Sequence, residues 1–450
     1  MELAVSSVRA IVGLSTVIGL ALLLSENRRL ANWRLICIGL LVQIVLAVFI
    51  LQGDAMGEFF SPLGWPKIFF SWLSYAFVKT LQFSTEGARF VLGDIALPPT
   101  ENMAPGTPLA TGQSWGNAIA FQVLPTIIFF GALMGILYHL GIMQWIVKSL
   151  ARIVARLLKS SGAESLSVAA NVFIGQTEAP LVIRPYLENM TRSEIMTLMT
   201  AGMATIAGGV MAAYVGFLAL PYATAQGIPL DEAQLKFAEH LLGASLMAAP
   251  AAIILSKIMV PETGQPTTLG KVVTPKITES KNIIDAAATG AGDGLKLVLT
   301  ITAVLLAFIA LLAMADFILG WTGGIFGIEL TLGKILGWAF APIAWLIGVP
   351  LEDVMSVGSM LGYKIVANEF VAYLQLAEMI QQGEIAQKSM IMATFALCGF
   401  ANLSSIAIQI GGISPLAPNQ RPLIAELGIK AVLAGTLANL MTATLAGLIT

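Results

Sequence analysis

The sequence predicts an all-α integral membrane protein of eight transmembrane helices plus two re-entrant hairpins arranged as inverted repeats, with interfacial amphipathic helices. Three observations predict it. Only 11% of the 450 residues are Asp, Glu, Lys or Arg, 57% are apolar and 43 are glycine, whereas soluble domains carry about 25% charged residues and glycine is commoner in membrane helices than in soluble ones. Apolar runs near the ~20 residues needed to cross the hydrocarbon core recur along the chain, with basic residues in alternate short loops. Two further apolar stretches are broken by glycine, proline and carboxylates. The mean hydropathy of +0.84 excludes an ordinary soluble enzyme, and a net charge of −2 leaves no basic excess to attract nucleic acid. Cys37 and Cys398 lie in separate apolar runs, so neither a disulfide framework nor a Cys-x-x-Cys metal site is available.

The first run, 8–24, is followed by Arg28, Arg29 and Arg34 and by no small-residue cleavage pattern, so it is expected to be a retained span rather than a signal peptide. Its basic loop belongs in the cytoplasm, which places the N-terminus outside. A second span covers 35–52. Residues 53–116 hold Pro62, Pro66, Pro98, Pro99 and Pro105 around an aromatic segment, 66–92, expected as an interfacial helix on the outer side. A third span, 118–140, returns the chain to the cytoplasm, where Lys148, Arg152, Arg156 and Lys159 recur opposite Ile146, Leu150, Ile153 and Leu157. That pattern is a basic amphipathic helix on the membrane surface. Spans at 192–220 and 236–259 lead into a linker whose Lys271, Lys276 and Lys281 place it inside. Spans at 296–318, 388–412 and 426–449, the last two separated by a loop with Arg421 and Lys430, complete eight with both termini outside. The Gly290-Ala291-Gly292-Asp293-Gly294 run falls short of a dinucleotide fingerprint and is expected to be a flexible hinge.

Residues 163–190 and 332–375 do not behave as spans. Gly175-Gln176-Thr177-Glu178-Ala179-Pro180 breaks the first; Gly348-Val349-Pro350-Leu351-Glu352-Asp353 and Asn368-Glu369 break the second. Counting either as a crossing spoils the charge alternation, so each is expected to enter and leave on one side, the first from the cytoplasm and the second from outside. Irregular backbone at membrane depth needs protein or a water-filled cavity around it. In both units a carboxylate is followed about 30 residues later by a small polar cluster within an apolar helix: Thr200, Gly202, Thr205, Gly208 and Gly209 in one, Thr394, Gly399, Asn402, Ser404 and Ser405 in the other. Such inverted units place substrate and ion sites where their broken elements meet.

Glu178 and Glu369 are the informative residues, because an intramembrane carboxylate is expensive and usually faces a cavity, a partner or an ion path. The alternative is a structural ion pair, for which Arg184 and Lys364 are the nearby candidates. Gln176, Thr177, Asn402 and Ser405 offer neutral donors and acceptors, and Phe400 offers an aromatic face. His139 and His240 stand far apart, and no His-Glu-x-x-His, Gly-x-Ser-x-Gly or Walker A pattern occurs. An intramembrane enzyme is therefore the weaker alternative. Without a nucleotide-hydrolysing domain, uphill transport must draw on an ion gradient.

The segments Asn171-Val172-Phe173-Ile174-Gly175-Gln176-Thr177-Glu178-Ala179-Pro180, Ile206-Ala207-Gly208-Gly209, Asn368-Glu369-Phe370-Val371-Ala372-Tyr373 and Cys398-Gly399-Phe400-Ala401-Asn402, with Ile408-Gln409-Ile410-Gly411-Gly412-Ile413, closely resemble the concentrative nucleoside transporter family. The match runs from about Ala118 to the C-terminus. The resemblance implies a cation-coupled nucleoside symporter working by alternating access, a homotrimer in the cytoplasmic (inner) membrane, with a scaffold and a mobile transport domain in each protomer. It implies that Gln176, Thr177 and Glu178 contact the nucleobase with Val210 and Phe400 packing nearby, and that Glu369, Asn402 and Ser405 hold the ribose hydroxyls. It further implies a sodium site on the Asn171 side chain, the Ile174 carbonyl, the Thr205 hydroxyl and the Ile206 carbonyl, an oxygen set suited to a hard cation. Relatives commonly carry serine where this chain has Thr205, and a proton is the alternative coupling ion. The expected organisation is a scaffold, outer segment and amphipathic helix over 1–160, a first transport repeat over 161–260, a linker and scaffold span over 261–330, and a second, inverted transport repeat over 331–450.

Overall fold

The computed structural model describes residues 2–93, 121, 123–270 and 280–450. The start of the third expected span, Pro98, Pro99 and Pro105, and the linker residues Lys271 and Lys276 lie outside the described residues. Among those described every regular element is a helix, and the one β-bridge, Ser161 with Leu269, is isolated.

Four helices come first: α1 (Glu2–Leu23), α2 (Trp33–Leu51), α3 (Gly53–Phe59) and α4 (Ser61–Leu92). Asn32 starts α2, its Oδ1 accepting from the Leu35 N–H at 3.2 Å. Helix α4 is longer than expected and carries one buried stripe, including Phe70, Ser74, Val78 and Leu81, toward the rest of the protein. Helices α5 (Leu124–His139) and α6 (Ile142–Leu158) meet at 78°, across Gly141 in the left-handed region. The bend turns the basic helix α6 off the axis of α5, as an amphipathic surface helix requires. Its buried stripe is Met143, Val147, Ala151, Val154 and Leu158, one position round from the expected one, and Ile153 and Leu157 are exposed.

Helix α7 (Gly162–Asn171) opens with a capping box in which Ser161 and Glu164 satisfy each other's backbone N–H groups. The chain then leaves helical geometry through Val172–Glu178, resumes in α8 (Ala179–Val182) and α9 (Arg184–Leu187), and reaches a second capping box, Thr191 with Glu194, at α10 (Arg192–Ala204). The expected continuous span 192–220 is broken at Thr205–Ala207 before α11 (Gly208–Gln226). Helix α12 (Leu230–Met259) follows, buried along most of its length and touching α1, α2, α4, α10, α11 and the C-terminal helix.

Helix α13 (Ile283–Ile325) is apolar and mostly exposed. Here the structure corrects the expected hinge: Gly290 and Gly294 lie inside this continuous helix, where they let its backbone touch that of α5 at Gly131 and Ile128. Their absent side chains serve close helix packing, not flexibility.

The second expected hairpin, 332–375, is also redrawn. Helix α14 (Leu332–Leu346) ends at Gly348–Pro350 and lies against α15 (Val354–Val366), with Gly358 close to the Ala341 backbone. The hairpin that carries the carboxylate is α15, a tip at Ala367–Asn368, and α16 (Glu369–Gln382). The sequence shows both breaks; only the structure separates them. Helix α17 (Gln387–Leu397) then stops, Cys398–Asn402 is irregular, and α18 (Leu403–Ile413) resumes, so the expected span 388–412 is broken as well. Helix α19 (Arg421–Ile449) closes the chain.

Among the described residues, five helical segments are long and apolar enough to cross a membrane: α2, α10 with α11, α12, α13 and Pro418–Ile449. The other three expected spans fall short for separate reasons. The apolar part of α1 is Ser7–Leu23, α5 is bent into α6, and α17 and α18 are each cut by the break between them.

Candidate functional site

The two irregular hairpin tips pack against the two broken helices, each tip reaching an element from the other half. At the second tip Asn368 caps α16, its Oδ1 accepting from the Val371 N–H at 3.0 Å. This starts a helix at Glu369 and places the carboxylate at the positive end of its dipole. Glu369 is 2% exposed. Its Oε1 accepts from the Tyr214 hydroxyl of α11 at 2.9 Å and its Oε2 from Asn402 Nδ2 at 2.8 Å. Asn402 serves twice, because its Oδ1 caps α18 by accepting from the Ser405 N–H at 2.9 Å and also accepts from the Ser404 hydroxyl at 2.7 Å. Tyr214 is held by aromatic packing, with its ring centroid 4.4 Å from that of Tyr373 and 5.0 Å from that of Phe370.

At the first tip Gln176 is buried and donates to the Ser405 hydroxyl at 3.2 Å; its Oε1 accepts from Gln409 Nε2 at 3.0 Å. Gly202 makes room for both glutamines, since a Cβ there would stand 2.8 Å from Gln409 Nε2 and 2.9 Å from Gln176 Cβ. Thr177 packs against Gly412 of α18. The Glu178 carboxylate folds back over Gly175, where a Cβ would collide with it, and the side chain is exposed although its neighbours Gln176 and Ala179 are buried. Val210 is buried in the first turn of α11, and Phe400 is half-buried in the second break.

Gln176, Ser405, Asn402 and Glu369 are thus joined through direct hydrogen bonds or the Asn402 cap. Neither suggested ion pair forms: Arg184 is exposed, and Lys364 bonds the Ala396 carbonyl and Asn439 rather than Glu369. Tyr214, Gln409 and Asn439 are participants that sequence reasoning missed. Tyr214 and Asn439 lie within apolar runs, whereas Gln409 is the one strongly polar side chain of Ile408–Ile413, a signal the sequence does carry.

The predicted cation ligands lie where the first tip meets the first break. The Gly208 N–H donates to the Phe173 carbonyl at 3.0 Å, joining the two segments. Asn171 is 1% exposed; its Nδ2 donates to the Ser167 carbonyl at 3.0 Å and its Oδ1 has no partner. Thr205 donates to the Ala201 carbonyl at 2.8 Å, leaving its oxygen lone pairs free. Neither the Ile174 nor the Ile206 carbonyl accepts a hydrogen bond among the described residues. An orphaned buried acceptor beside unengaged carbonyls is expensive without a partner, and an all-oxygen set fits a hard monovalent cation. Among the described residues no three His, Cys, Asp or Glu side chains group as a metal cage.

Residues 12–95, 120–221 and 240–447 match, in order, families described as "Na+ dependent nucleoside transporter N-terminus", "Nucleoside recognition" and "Na+ dependent nucleoside transporter C-terminus". An uncharacterized transporter, YutK of Bacillus subtilis, is 40% identical over 442 residues, covering 97% of this chain and 98% of its own. Nucleoside permease NupC of Helicobacter pylori is 38% identical over 449 residues, 98% of each chain. Human solute carrier family 28 member 3 is 36% identical over 452 residues, 97% of this chain and 59% of the human one. CNTnw in an inward-facing substrate-bound state superposes with a TM-score of 0.84 at 38% identity, covering 99% of this chain and 98% of CNTnw. An outward-facing CNTnw variant gives 0.85 at the same identity, covering 100% and 99%.

Proposed function

Because the chain belongs to the concentrative nucleoside transporter family, whose members are multi-pass membrane transporters and not enzymes, we propose that it is a sodium-driven symporter importing nucleosides by alternating access. Buried Glu369 carries this reading. Two neutral donors from other elements, Tyr214 and Asn402, aim at it, and a carboxylate so held is an acceptor ready for a vicinal diol. Glu369, Asn402 and Ser405 take the ribose hydroxyls, while Gln176, Thr177 and Glu178 read the base, with Val210 and Phe400 beside it. Asn171, Ile174, Thr205 and Ile206 hold the sodium ion, and the unpartnered Asn171 Oδ1 supports that role. The cation supplies the gradient; the residues supply the cage. Inverted repeats, a homotrimer in the inner membrane and termini on the outer side complete the proposal. A division into scaffold and transport parts belongs to the proposal, redrawn from the 1–160 scaffold so that α1 and α2, which pack on α12 and α19, go with the transport part.

Proteoliposomes with labelled uridine test it. Uridine is expected to accumulate under an imposed sodium gradient, with adenosine competing and free ribose not. Uptake that ignores sodium and follows an imposed pH gradient, uncoupled by Glu178→Gln, replaces sodium with the proton. Chemical conversion of the nucleoside without net transport sinks the reading.

A further inference from the structure

Lys364 lies in the last turn of α15 and is 1% exposed, yet it has no carboxylate partner among the described residues. Its Nζ donates to two neutral oxygens, the Ala396 carbonyl at 2.8 Å and Asn439 Oδ1 at 2.7 Å. A buried ammonium ordinarily needs an opposite charge or several strong acceptors. Here the compensation comes from an amide oxygen and from the carboxyl ends of α15 and α17, both negative by their dipoles.

The first half of the site offers the same arrangement without a lysine. Asn171 ends α7 and Thr205 caps the carboxyl end of α10, so two helix carboxyl ends and neutral oxygens again converge, and one buried oxygen is left over. The two places are in contact. Asn439 gives its Oδ1 to Lys364 and donates its Nδ2 to the carbonyl of Ala204, the last residue of α10, at 2.7 Å. Gly399, at φ +136°, presses into the same spot, with a Cβ position 2.7 Å from the Ala204 and Met203 carbonyls and from Asn439 Oδ1.

We propose that Lys364 is a tethered cation. It occupies in the second half the place that a free cation takes in the first, holds the second break and Asn439 in position, and makes that half independent of ions from solution. Removing the ammonium exposes a second cation site built from the Ala396 carbonyl and Asn439 Oδ1. The comparison between halves rests on the free-cation reading proposed for Asn171 and Thr205, and Lys364 is a positioning residue rather than a nucleoside contact.

The test is uridine binding to the purified full-length protein, titrated with sodium chloride or methylammonium chloride against choline chloride. Lys364→Ala is expected to bind uridine at least 10-fold more weakly in choline, to recover most of that loss in methylammonium, and to show a steeper sodium dependence than wild type. Lys364→Met, whose side chain fills the space, is expected to lose affinity and not recover. Wild-type affinity in either variant overturns the proposal, as does a folded Lys364→Ala that methylammonium leaves weak. If Lys364→Ala does not fold, Lys364→Met and Lys364→Arg decide: loss in Met with retention in Arg supports a charge role, and equal affinities overturn it. A wild type indifferent to sodium removes the free-cation reading of the first half, while methylammonium rescue still reports on Lys364 alone.

Discussion

Glu369 shows what one residue needs in order to act at membrane depth. Its carboxylate oxygens are each held by one neutral donor, so it can accept from a ligand without a competing salt bridge. Charge-assisted hydrogen bonds contribute about 1.5–3 kcal/mol each; Glu369→Gln is therefore expected to weaken uridine binding roughly 10- to 100-fold with the fold intact, measured by calorimetry in detergent. Tyr214→Phe removes only a positioning donor and is expected to cost less, about 10-fold or under. At the cation ligands, Asn171→Ala is expected to abolish the rise of nucleoside affinity with sodium while leaving weak sodium-free binding, because linkage between two ligands disappears with either site. Glu369, Asn402, Gln176 and Ser405 were legible in the sequence, since polar groups within apolar runs are rare enough to mean something. Tyr214 was not: its hydroxyl matters through one long-range contact, and nothing in its neighbourhood along the chain marks it. Lys364 is equally visible, and of the two readings open for Glu369 the structure excludes the ion pair with it, because a spacing of five residues says only that two groups are near, not that they face each other.

At the scale of elements the informative features are the breaks. Apolarity predicts that 192–220 and 388–412 are buried, and it cannot reveal that each is two helices, since Ile206 and Ala207 in one break and Cys398, Phe400 and Ala401 in the other continue the apolar run. The local signals lay elsewhere. Asn368 and Asn402 are N-caps, and a cap in the middle of an apolar run implies a helix starting there. Gly399 is the tightest of these joints. Its φ of +136° suits glycine alone, and the surrounding carbonyls leave no space for a methyl group, so Gly399→Ala is expected to lower thermal stability markedly and to cut uridine binding, read by melting in detergent with and without uridine. By contrast Gly411, with nothing near its Cβ position, is expected to accept alanine with little change, which separates strain at the break from helix propensity.

Across the whole molecule, segments distant in sequence are tied at one surface by an ionic cluster. Arg192, at the start of α10, makes paired hydrogen bonds to Glu26 in the α1–α2 loop, at 2.7 and 3.2 Å, and to Glu426 of α19, at 2.7 and 3.0 Å; Lys430 reaches Glu26 at 2.5 Å. Single exposed ion pairs contribute little, but a bidentate, multiply shared arginine is the favourable exception. The Arg192 hydrogen bonds, helped by Lys430 and opposed by partial burial, hold the Glu26 carboxyl at about 2 against an ordinary 4.5. A carboxylate whose pKa is depressed on folding stabilises the protein above its unfolded value and loses that contribution as pH falls through the folded one. The stabilisation from Glu26 is therefore complete above about pH 4.5 and disappears towards pH 2. Because α1, α2, α10 and α19 pack together or on α12, the cluster is expected to stay within one body and to brace it without gating the transport cycle. Glu26→Gln is expected to lower the melting temperature at pH 7 by roughly 2 °C, to leave the maximal rate of uridine uptake unchanged, and to approach wild type as melting is followed from pH 4.5 down towards pH 2. A variant that melts normally but transports faster or slower would show instead that the cluster breaks during the cycle and spans two bodies that move.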